Sequence, residues 1–145
     1  MENKTAAVRM RDITKRFGTK VLANDKVWLD IYKGEILALL GENGSGKTTL
    51  MNMLSGIYYP DEGHIYIGDE EVVIKSPKDA FDHGIGMIHQ HFKLVDVLTA
   101  AENITLGLDE KLDLKETSRR IKEICDSYGF EVDPGQKIYD MSVSQ

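Results

Sequence analysis

Gly41-Glu42-Asn43-Gly44-Ser45-Gly46-Lys47-Thr48-Thr49 fits the pattern G-x-x-x-x-G-K-[ST] at every fixed position. On its left stands Ile36-Leu37-Ala38-Leu39-Leu40, a continuous apolar run that reads as a β-strand buried on both faces. On its right, Leu50, Met53, Leu54 and Ile57 recur at helical spacing, and Gly56 supplies a stop. Strand, glycine loop, helix is the order this motif requires, and it marks an α/β fold built around a P-loop.

Each residue type in the motif has a task. Glycines reach backbone conformations closed to other residues, so consecutive amides of Gly41, Asn43, Gly44, Ser45 and Gly46 can curl round a phosphate. The helix start at Lys47, Thr48 and Thr49 adds unpaired N–H groups and a partial positive charge. Lys47 would set its ammonium against the terminal phosphates, and the Thr48 hydroxyl would join the shell of a magnesium ion. A glycine-rich turn between strand and helix can also hold nothing. The complete motif between correct flanks points instead to a nucleoside triphosphate.

Composition removes several other classes. The 145 residues suffice for one domain with a proper core, and 41% hydrophobic with 29% charged residues is ordinary for a soluble globular protein. Eighteen basic residues against 24 acidic ones leave a formal charge of −6, which argues against a surface that coats nucleic acid. Cys125 is the only cysteine, so no intrachain disulfide can form and a reducing compartment is expected. No apolar run is long enough to span a bilayer, and the first residues lack the apolar core of a signal peptide. Any membrane role is therefore expected to be peripheral.

Along the chain, Val8, Met10 and Ile13 open a first strand that ends near Arg16-Phe17-Gly18. Val27, Leu29 and Ile31 alternate in a second, with Trp28 on its other face, expected to pack under a neighbouring strand or loop. Pro60-Asp61-Glu62-Gly63 has turn chemistry. Ile65 and Ile67 then pair with Val72-Val73-Ile74 through a tight turn at Gly68-Asp69. Ser76, Pro77 and Asp79 form a helix start, and the helix ends at Gly84. Ile85-Gly86-Met87-Ile88 reads as a short apolar strand. Thr99 with Glu102, and Asp113 with Glu116, open two more helices that stop at Gly107 and Gly129. In the last, Leu114, Ile121, Ile124, Cys125 and Tyr128 make one apolar stripe, expected to be core, with Cys125 a structural thiol. His89 and His91 form an H-x-H without further clustered ligands, so they read as loop residues rather than a zinc site.

Taken in order, these features resemble the nucleotide-binding cassette of the ABC ATPase family, and the resemblance covers essentially the whole chain. Phe17, before a glycine and upstream of the P-loop, resembles the aromatic residue that stacks on adenine. Gln90, after the short strand, resembles the glutamine that touches the magnesium site and couples to the membrane subunits; with Lys47 it is the catalytic candidate here. Met141-Ser142-Val143-Ser144-Gln145 aligns with the family's Leu-Ser-Gly-Gly-Gln signature, which places Ser142 and Ser144 against the nucleotide of a partner cassette. The stretch Gly84 to Phe92, with Ala101-Glu102-Asn103, looks like the ATP-binding subunits of bacterial sugar and nucleoside importers.

The resemblance implies a P-loop NTPase core with an antiparallel β subdomain over residues 1–98, and part of an α-helical subdomain over 99–145. It implies ATP and magnesium as ligands. The implied partners are transmembrane permease subunits, a second cassette in a dimer or tandem, and, indirectly, a solute-binding protein. It also implies a peripheral place on the cytoplasmic face of the cell membrane. Two departures stand out. Val143 and Ser144 replace both signature glycines, and the chain stops before any apolar run ending in Asp-Glu or a later histidine. A truncated cassette that binds ATP without hydrolysing it is expected from the second. A soluble ABC ATPase of DNA repair or translation, or a P-loop kinase for a small metabolite, shares the P-loop. Acidic charge and the sequence around Gln90 weigh against the former, the ordered motifs against the latter.

Overall fold

Apolar alternation along two long segments builds the first layer. The computed structural model describes residues 5–89, 93–107 and 113–142. β1 (Ala6–Phe17) and β2 (Val21–Tyr32) pair antiparallel, and β3 (Glu62–Ile67) adds to the other edge of β1, followed by β4 (Glu70–Val72). The sheet order is β2-β1-β3-β4. Met10 pairs with Leu29 and Ile13 with Val27, so β1 carries one residue more than its partner between them. Asp12 absorbs it with φ 51°, a left-handed conformation that Asp tolerates better than most residues. This bulge changes the strand's phase and brings Ile13 onto the same buried face as Met10.

Against that face lies α1 (Lys47–Leu54), whose Leu50, Met53 and Leu54 are buried with Met10, Ile13, Ile65, Val72, Ile74 and Ala80 in one core. The expected turn at residues 60–63 is shorter than its chemistry suggests, because Glu62 and Gly63 already belong to β3. α2 (Pro77–Asp82) starts as expected: Ser76 Oγ accepts from the Asp79 amide at 3.1 Å. The Asp79 carboxylate reaches back to the Lys75 amide at 2.9 Å.

Three expectations are corrected. Ile36–Leu40 is not a strand buried on both faces: the segment joins no sheet, and Ile36 and Leu40 are 99% and 89% exposed. Residues 85–88 likewise form no strand, and Ile88 is 96% exposed. A doubly buried strand needs neighbours on both edges, and among the described residues neither segment joins the sheet, although Ile85 packs part-buried against the core. Trp28 does not pack under a neighbour. It is 64% exposed, donates from Nε1 to Asp12 Oδ1 at 2.9 Å, and carries the Arg11 guanidinium over its ring.

The chain divides into two units, Met1–Ile88 and His89–Gln145. The second contains α3 (Ala100–Thr105), α4 (Leu114–Tyr128) and a short 3-10 helix, Ile138–Asp140. Thr99 and Lys137 bridge antiparallel, and the amides of Ala100 and Ala101 donate to Gln136 and Pro134. The Thr99–Glu102 capping box forms in both directions. At α4 only half of the expected pattern forms: Asp113 caps the amides of Lys115 and Glu116, while Glu116 turns to Arg119 instead. The α4 stripe is also corrected. Ile121 is buried and Cys125 half-buried, but Leu114, Ile124 and Tyr128 are exposed, so among the described residues only part of the stripe is covered.

Candidate functional site

The start of α1 is built to meet an anion. Gly46 precedes it in the left-handed region, φ 85°, as does Gly44. No side chain caps this helix start and no acidic residue sits in its first turn. The N–H groups that other helices here satisfy with Ser76, Thr99 or Asp113 are thus left for an outside acceptor. Glycine at 46 is also a steric need. A Cβ there would lie 2.3 Å from the Ala23 carbonyl oxygen and 2.9 Å from Asn24 Nδ2. The loop therefore rests directly on β2, with buried Asn24 donating to the Gly46 carbonyl at 3.4 Å.

Lys47 folds back into the loop. Its ammonium donates to the Gly41 and Glu42 carbonyls, both at 2.7 Å, and to Ser45 Oγ at 3.2 Å. Gly41 makes room for this arrangement, since a Cβ there would stand 2.7 Å from Ser45 Oγ. A cation held by two carbonyls and a hydroxyl at the mouth of an uncapped helix can meet a polyphosphate. Thr48, exposed on the first turn, offers the neutral hard oxygen that magnesium accepts. No group of three or more His, Cys, Asp or Glu side chains suited to a metal occurs among the described residues. Asn43 and Thr49 lie within the same loop-and-helix start.

Phe17 is the last residue of β1, 38% exposed, paired with Val21. Lys15, two residues earlier, pairs with Asn24, the residue that holds Gly46. The hairpin register thus brings Phe17 to the end of the sheet on which the P-loop rests. Lys15 sets its ammonium 5.8 Å from the Phe17 ring centroid and donates to the Asp61 carboxylate at 2.9 Å. The Arg16 amide, first, and Lys15, second, hold the Asp61 carboxyl below its ordinary value, so it is a carboxylate at neutral pH. Sequence reading missed Asn24 and Asp61. Their contacts come from strand register, and no local pattern announces them.

Of the other expected site residues, Gln90 and Ser144 lie outside the described residues. His89, expected to be a loop residue, is exposed outside any helix or strand, and His91 lies outside the described residues. Ser142 is exposed beyond the 3-10 helix. No helix among the described residues is long and apolar enough to cross a membrane.

Comparison with known proteins bears directly on this site. Residues 24–145 match the ABC transporter family. A nucleoside import ATP-binding protein of Lactococcus lactis subsp. cremoris is 51% identical over 149 residues, covering 100% of this chain. A glucose import ATP-binding protein of Haloferax volcanii is 39% identical over 170 residues, covering 95% of it. The chain spans 29% and 31% of the length of these two relatives. Among solved structures, a nucleotide-free ATP-binding cassette from an ABC transporter superposes with a TM-score of 0.76 at 25% identity, over 94% of this chain and 59% of that one. With the P-loop in place at the head of α1 and the family match running from β2 to residue 145, this chain belongs to the ABC transporter family, as part of an ATP-binding cassette.

Proposed function

We propose that this chain is part of an ATPase subunit that powers import of a sugar or nucleoside, and that it supplies the subunit's grip on ATP. The observation that carries the reading is the uncapped, glycine-led start of α1 with Lys47 held among the loop carbonyls. The relatives' import of nucleosides and glucose supports the solute class. In this reading residues 1–98 bind nucleotide and residues 99–145 belong to a helical subdomain. The amides from Gly41 to Thr49 bind the phosphates, Lys47 exchanges its carbonyl partners for the terminal phosphates, and Phe17 receives adenine. Thr48, with Gln90, would hold magnesium, which would supply neutralisation of phosphate charge. Gln90 links the terminal phosphate to permease subunits. Ser142 and Ser144 face the nucleotide of a second cassette. The protein works peripherally at the cytoplasmic face of the membrane, and a solute-binding protein acts on it only through the permease.

Binding and turnover separate cleanly in this reading. Charge-assisted hydrogen bonds contribute about 1.5–3 kcal/mol each, so several together hold a nucleotide. Hydrolysis further needs a water oriented in line with the γ-phosphate. The 145-residue chain should bind ATP with magnesium in isothermal titration, lose that binding in Lys47→Ala, and release no phosphate above background. Absence of binding in the parent chain would remove the reading, and turnover that disappears in Lys47→Ala would show that this chain hydrolyses ATP unaided.

A further inference from the structure

The loop that follows α1 touches the ring expected to receive the base. Ile57 and Tyr58 both donate their amides to the Asn52 carbonyl, at 2.9 and 3.0 Å, so the chain leaves the helix in a fixed direction. Just beyond, the loop is fastened to β1. The Asp61 amide donates to the Thr14 carbonyl at 2.9 Å, the Asp61 carboxylate accepts from the Arg16 amide at 2.6 Å, and the Tyr59 carbonyl accepts from Lys15 Nζ at 2.7 Å. Between these two fastenings Tyr58 sets its ring against Phe17, centroids 5.2 Å apart and planes 72° apart.

The angle defines what Tyr58 can do. A purine stacked on Phe17 lies parallel to that ring and so stands steeply to Tyr58. Tyr58 is then a wall beside the base platform rather than a second stacking surface. Phe17 itself sits at a strand end and is 38% exposed, so without a neighbour its ring has rotamers to explore. Edge-to-face contact selects one orientation while leaving ring area for a ligand. α1 thus carries the phosphate cradle at its start and, just past its end, the residue that braces the base platform.

We propose that Tyr58 is a positioning residue for base binding, holding the Phe17 ring in the orientation on which a purine stacks. The proposal rests on the reading of Phe17 as the base platform. Its test is isothermal titration of the full chain with two magnesium-loaded probes, ATP and inorganic tripolyphosphate, which has no base. Phe17→Ala should weaken ATP about ten-fold and leave tripolyphosphate unchanged. Tyr58→Ala should weaken ATP about three-fold to ten-fold, again without effect on tripolyphosphate. Tyr58→Phe should restore parental ATP affinity, and the double alanine variant should bind no worse than Phe17→Ala alone. If Phe17→Ala loses ATP affinity while Tyr58→Ala does not, or if the two losses add, Tyr58 does not act through Phe17. Equal loss of both probes in Tyr58→Ala would mean the cradle was disturbed, and overturns the proposal as well. A Phe17→Ala variant with unchanged ATP affinity would take the platform reading and this proposal down together.

Discussion

Lys47 and the glycines before it show how closely single residues are specified here. The Lys47 ammonium is satisfied by the Gly41 and Glu42 carbonyls, which in the proposed reading it exchanges for phosphate oxygens. Charged phosphate oxygens are better acceptors than carbonyls, which favours the exchange. Gly44 and Gly46 share φ 85°, yet their surroundings differ. An added Cβ at Gly44 meets nothing within 4 Å, whereas at Gly46 it meets the Ala23 carbonyl at 2.3 Å. Gly44→Ala should therefore cost only left-handed backbone strain, about 1–2 kcal/mol. Gly46→Ala adds a backbone collision that shifts either β2 or the loop, a further overpacking cost of about 1–3 kcal/mol. Urea denaturation of the two variants checks this: equal losses would mean the loop does not rest on β2 as described.

Among the elements, α3 depends heavily on its ends. It has six residues, too few to persist on propensity alone. Thr99 and Glu102 close its capping box, and Thr105 Oγ1 donates back to the Ala101 carbonyl at 2.8 Å. Asn103 does more than continue the helix. Its side chain accepts from the Val95 amide at 2.8 Å and donates to the Val95 and Thr99 carbonyls, both at 3.0 Å, tying the preceding loop to the helix. Thr99→Ala should cost about 1 kcal/mol, the usual value of an N-cap. Asn103→Ala should cost at least as much, at about 0.5–1.5 kcal/mol for each net hydrogen bond lost. Circular dichroism through a denaturant series measures both, and an Asn103→Ala variant as stable as the parent would show the tie to be idle. The caps at Ser76, Thr99 and Asp113 were legible because each is settled within four residues of sequence. The P-loop was legible for the same reason. Ile36–Leu40 and residues 85–88 were misread because an apolar run states only that burial is wanted, while a strand also needs a partner from elsewhere in the chain. The same limit hid Asn24, which reaches Gly46 only through tertiary packing, and inflated the stripe of α4, of which Ile121 alone is fully buried.

At the scale of the molecule, two forces oppose one another. A formal charge of −6 makes copies of the chain repel. Against this, Ile36, Leu40 and Ile88 are 99%, 89% and 96% exposed, and Leu37 and Leu39 are 41% and 38% exposed beside them. Burying one such side chain fully is worth about 1.5–3 kcal/mol, so the run at 36–40 alone offers several kcal/mol to any surface that covers it. The run is also free of strand neighbours among the described residues, which leaves its backbone open to pairing with another chain. Charge repulsion is screened beyond about 8 Å at physiological salt, while apolar contact is not. The 145-residue chain should therefore self-associate in sedimentation velocity, and more strongly at high salt than at low salt. Ile36→Asp with Leu40→Asp should return it to a monomer with its secondary structure retained, because neither residue belongs to the buried core. Association that weakens with added salt would assign it to ion pairs instead, and association unchanged in the double variant would remove residues 36–40 from the contact.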